Sequence, residues 1–137
     1  MSYDSRSGLQ ELCTFIPYLE DVAPDKVCQW KGGEGFENGS ISFPYPEYDE
    51  EFRGFLGACS KSIPEFQNYQ DELDRRVPNW ATTDIIKVIE TADFDLVRVI
   101  FTKCIRVERF CGGAWHSALK DGIFLALLQR IKVLLNI

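Results

Sequence analysis

Three arginines and one glutamate carry the most specific chemistry in this chain. At about 100° per residue, a helix over residues 93–111 puts Asp95, Arg98, Thr102, Arg106 and Arg109 within an arc of roughly 80°. A guanidinium presents a planar fork of donors that matches a carboxylate or a phosphate. Arg98, Arg106 and Arg109 on one line therefore make either an anion site or the solvated, salt-bridged face of a helix. Glu108 projects to the other side, near Phe101 and Cys104. An ionised carboxylate among apolar side chains needs an arginine or several donors. There it either fixes the register of the helix or orients Arg106 or Arg109 toward a ligand. Trp115 and His116, one turn beyond the helix, line the same area, although Trp115 also reads as ordinary core.

Other chemistries have little to work with. His116 is the one histidine in the sequence, which removes every metal site that needs two. The five cysteines, Cys13, Cys28, Cys59, Cys104 and Cys111, contain no C-x-x-C spacing. No metal and no cofactor is expected. Cys–His catalysis would have to join Cys111 to His116 across Gly112-Gly113, where a lone histidine beside a turn more often serves structure. The run from Gly32 to Gly35 lacks the G-K-[ST] ending of a phosphate loop and carries Glu34.

The elements that must position these residues follow from periodicity. From Asp93 to Cys111 nearly every residue off the arginine line is apolar, and a helix apolar almost all round is a buried one. Asp93 is its expected N-cap and Gly112-Gly113 its stop. Before it, Ser7–Leu19 reads as a helix opened by Ser7 and Gln10 as a capping box, with a kink or restart at Pro17. Residues 28–44 read as a β-ribbon. Asn38-Gly39 is its hairpin signal, and a wider loop joining short strands near 29–31 and 40–43 is the alternative. Helices are expected over Pro46–Ser60 and Phe66–Val77, then after a cap at Thr82 or Thr83. Short and long helical segments follow at Ala114–Leu119 and Ile123–Leu135. The fold class expected is mainly α (α+β): about five to six helices around a buried central helix, with a small two-stranded antiparallel ribbon.

Length and charge set the outer bounds. A chain of 137 residues with 45% apolar residues is expected to form a single globular domain over 1–137, its ordered core about 8–135. The net charge is −6, from 21 acidic against 15 basic residues, so general nucleic-acid binding is disfavoured. An odd number of cysteines, mostly on apolar faces, points to reduced thiols and a cytoplasmic location. No stretch reads as a signal peptide or as long enough to span a bilayer.

The segments FIPYLE (15–20), ISFPYPEYDEEFRGF (41–55) and IRVERFCGGAWHSALKDGIFLALLQRI (105–131) resemble the bacterial domain-of-unknown-function 6508 family of small proteins. The pattern is carried by Ile105, Arg106, Glu108, Arg109, Phe110, Gly113 and Trp115, followed by Gly122 and a leucine-rich helix. The resemblance implies a soluble bacterial domain and carries over no catalytic residue. Besides a weaker reading as an acidic nucleic-acid mimic, which would need the carboxylates of residues 47–51 and 71–74 clustered on one outward surface, two function classes follow. One is a non-enzymatic interaction or regulatory module with a protein partner. The other is a small ligand-binding protein or enzyme that holds an anionic group through an Arg/Glu site at the end of the central helix.

Overall fold

In a computed structural model, residues 4–32, 44–109 and 111–137 are described. The chain is mainly helical with a two-stranded ribbon, in the order α1 (Asp4–Cys13), α2 (Ile16–Asp21), α3 (Pro24–Val27), β1 (Cys28–Lys31), β2 (Tyr45–Tyr48), α4 (Glu50–Ser62), α5 (Tyr69–Arg76), a 3-10 turn at Trp80–Thr82, α6 (Ile85–Glu90), α7 (Phe94–Val107), α8 (Ala114–Lys120) and α9 (Ile123–Leu135). The helical segments are shorter and more numerous than periodicity suggests, because Pro17 and Pro24 each stand in the first turn of a separate short helix.

Pro17 restarts the first run as expected, standing in the first turn of α2 after a break at Thr14 and Phe15. Its missing amide costs nothing in a first turn. Ser7 is no cap, since α1 is already under way from Asp4. Asp49, rather than Pro46, opens α4: its side chain accepts from the Phe52 amide at 2.8 Å. That frees Tyr45–Tyr48 to pair antiparallel with Cys28–Lys31, in the register Cys28 with Tyr48 and Trp30 with Pro46. The second strand thus follows the 40–43 position assigned to it, and the Asn38-Gly39 turn lies outside the described residues. Asp84, not a threonine, caps α6, and Phe66 precedes α5, which starts at Tyr69.

Two helices share the centre. Helix α7 buries Leu96, Val97, Val99, Ile100, Phe101, Thr102 and Cys104 and packs against α5, α8 and α9. Helix α9 touches α1, α2, α6, α7 and α8. Between them the ring of Phe124 meets Phe52, Phe55 and Phe101, with centroids 6.0, 5.8 and 6.4 Å away, mostly edge-on as aromatic quadrupoles prefer. Asp93 caps α7 as expected, accepting from the Leu96 amide at 2.8 Å. The helix ends earlier than its apolar run, at Val107. Arg109 and Cys111 therefore lie in the connection to α8 and not on a helix. That connection turns at Gly113, whose φ of +93° is left-handed and suits a residue without Cβ. Among the described residues no helix is long and apolar enough to cross a membrane.

Candidate functional site

The end of α7 sends its polar residues to two different places. Glu108 turns toward the ribbon and α8. Its Oε1 accepts from the Tyr48 hydroxyl at 2.9 Å and the Trp115 amide at 2.8 Å. Its Oε2 accepts from the Gly113 amide at 3.0 Å. Two of these donors are amides at the start of α8, where no helical carbonyl can reach them. Glu108 thus caps one helix from the end of another, and it uses several donors where an arginine was the other option. The Tyr48 hydroxyl in turn accepts from the His116 amide at 3.3 Å. Burial, then the bond to Glu108 and its charge, push the Tyr48 phenol well above the usual tyrosine range.

Trp115 and His116 belong to this cluster. The Trp115 indole lies 5.1 Å from the Tyr48 ring and donates to the Ile105 carbonyl at 3.3 Å. The His116 ring puts a buried Nε2 3.6 Å from Asp25 Oδ1, beyond hydrogen-bonding distance. Cys28 pairs across the ribbon from Tyr48. Burial, and secondly the Glu108 charge, push its thiol up, away from a reactive thiolate. Cys111 is exposed, and no described contact joins it to His116. No group of three or more metal-ligating side chains comes together among the described residues.

The arginines face the other way, toward the segment linking α4 to α5. Arg98 donates to the Pro64 carbonyl through Nε at 3.0 Å and to the Glu65 carbonyl through Nη2 at 3.0 Å. Its guanidinium also lies 5.1 Å from the centroid of the Phe66 ring and 3.4 Å from Asp95. Thr102 is buried, and its hydroxyl accepts from the Phe66 amide at 3.2 Å. The line of polar residues on α7 is therefore roofed by residues 63–66 over its first half. Arg106 forms an ion pair with Glu65. Arg109 is exposed and pairs with no acid among the described residues.

Arg106 and Arg109 flank a cleft of about 230 Å³. Ile63, Phe101 and Ile105 give it an apolar lining, while Ser60, Thr102 and Glu65 contribute polar atoms. Of the six sequence candidates, Arg106 and Arg109 meet here, Arg98 secures the adjoining segment, and Glu108, Trp115 and His116 stand together elsewhere. Sequence reasoning missed Tyr48 and Glu65. Tyr48 falls inside the helix expected over Pro46–Ser60, and its role depends on a strand register. Glu65 follows Pro64 with no telling spacing and meets Arg106 only through the fold.

Ile105, Arg106, Glu108, Arg109, Gly113 and Trp115 now have positions at one helix junction. The chain belongs to DUF6508, a family of unknown function, whose model matches residues 5–136. No curated protein and no solved structure matches it. The family match spans both the Glu108 cluster and the arginine cleft.

Proposed function

We propose that this DUF6508 protein is a non-enzymatic binding module of the bacterial cytosol, a single domain whose partner or ligand presents an anionic group to Arg106 and Arg109. One observation carries this reading: a cleft of mixed polar and apolar lining with two guanidiniums at its edge, one of them without an acidic partner among the described residues. Such a site combines an orienting charge with burial of apolar surface. A cytosolic setting is supported by five free thiols, three of them buried. Glu108 has its oxygens occupied by Tyr48, Gly113 and Trp115, so the anion is met by the arginines and not by an Arg/Glu unit.

The test is thermal denaturation with acetate, 3-phenylpropionate, inorganic phosphate and a Glu-rich octapeptide. At least one probe should raise the melting temperature of the natural protein by about 3 °C at saturation. An Arg106→Ala/Arg109→Ala variant should lose that response. Equal responses of the two proteins to every probe would refute the reading.

A further inference from the structure

Glu65 occupies Arg106 in a way the fold does not require. The backbone of residues 63–66 is held by other groups: Ile63 is buried, Arg98 grips the carbonyls of Pro64 and Glu65, and Thr102 accepts the Phe66 amide. The Glu65 side chain is 54% exposed and pairs with the Arg106 guanidinium. An ion pair this exposed contributes little to stability and exchanges readily.

The same pair is also a partition. The cleft of about 230 Å³ and a neighbouring hollow of about 470 Å³ have Glu65 and Arg106 in common. The hollow continues over Phe66, Asn68 and Tyr69. Within the cleft lining, two guanidiniums against one carboxylate leave a single net positive charge. Arg106 already holds a carboxylate, that of Glu65, so a carboxylate is the anion its guanidinium fork is shown to accept. The apolar part of the lining is Ile63, Phe101 and Ile105. Its volume is below that of pockets for drug-sized molecules, which start at roughly 300 Å³.

Resting on the anion-binding reading above, we infer that the ligand is a small carboxylic acid with an apolar body, and that Glu65 is its built-in competitor. Glu65 holds Arg106 when the cleft is empty. The incoming carboxylate is met by Arg109 and takes the place of Glu65 on Arg106, while the apolar body settles against Phe101 and Ile105. Displacement of Glu65 opens the cleft toward the neighbouring hollow.

Calorimetric titration with 3-phenylpropionate tests this, with 3-phenylpropanamide as the uncharged comparison. Glu65→Gln removes the competitor and should tighten 3-phenylpropionate binding about tenfold, and Glu65→Ala should do the same. The amide should not bind. The gain must depend on Arg106: in Glu65→Gln/Arg106→Gln it should vanish, because the two changes act on one contact and are not additive. A gain that persists without Arg106 would make Glu65 a distant repulsive charge and overturn the competitor. Unchanged or weaker binding in both Glu65 variants would overturn it as well, while leaving the anion-binding reading intact if the natural protein binds the acid. Binding of phosphate or the Glu-rich peptide, with none of 3-phenylpropionate in any variant, would overturn the ligand class alone. Absence of binding by every probe in every variant would overturn both.

Discussion

Two carboxylates stand near the end of α7, and they behave oppositely. Glu108 is half-buried and receives three hydrogen bonds, two from backbone amides that have no helical acceptor. Glu65 is more than half exposed and meets one guanidinium. Withdrawing Glu108 strands donors that water reaches poorly, whereas withdrawing Glu65 hands a half-buried arginine to solvent or to another anion. Both residues are acids beside arginines in sequence or in space. Burial and the number of fixed donors, rather than charge, separate a structural joint from an exchangeable contact.

The contrast breaks if the two ends respond alike to substitution. Glu108→Ala should destabilise the protein by about 3 kcal/mol in chemical denaturation, since it removes charge-assisted bonds and leaves amides unpaired. A loss below about 1 kcal/mol would place Glu108 with the ordinary surface acids.

Tyr48→Phe sharpens the same joint. It should cost about 1 kcal/mol near neutral pH, for the hydroxyl that bridges Glu108 and the His116 amide. The phenol is raised in the folded protein, first by burial and then by Glu108. The neutral form is thus favoured on folding, and its contribution is complete below the unfolded tyrosine value of about 10. As pH rises beyond that, the unfolded chain ionises first and the natural protein loses stability. Denaturation midpoints between neutral and alkaline pH should fall faster for the natural protein than for Tyr48→Phe. Parallel curves would exclude Tyr48 as the source.

The smallest effect belongs to the open end. Arg109→Ala should shift stability by less than about 0.5 kcal/mol. A loss comparable with that of Glu108→Ala would reclassify the arginine edge as part of the joint.

Much of this frame was legible because local chemistry repeats. The apolar run of α7, the Asp93 cap and the span of α9 follow from spacing and capping alone. Gly113 and Gly122 both adopt positive φ where the chain turns, as glycine between helical runs implies. The division of the six candidates was not legible. Helical periodicity put Arg109 on the line of Arg98 and Arg106, but the bonds of Glu108 to the α8 amides accompany an end to the helix at Val107. The strand at Tyr45–Tyr48 was hidden by its own sequence, because an aromatic at 48 extends the stripe of Phe52, Phe55 and Leu56. Only pairing with β1, through a contact distant in sequence, decides between the two. Glu65 likewise acquires its partner 41 positions away in numbering, as 106 and 65 show, and periodicity has no access to such pairs.

Cys28, Cys59 and Cys104 are buried, Cys13 is half-buried, and Cys111 is exposed. Burial also raises the first four thiols above the ordinary cysteine value, which keeps them protonated and slow to react. A maleimide dye added to the native protein should therefore settle on Cys111, two positions past Arg109. With no engineered residue at all, the molecule offers an attachment point for a fluorescent reporter in the same connection that carries Arg109.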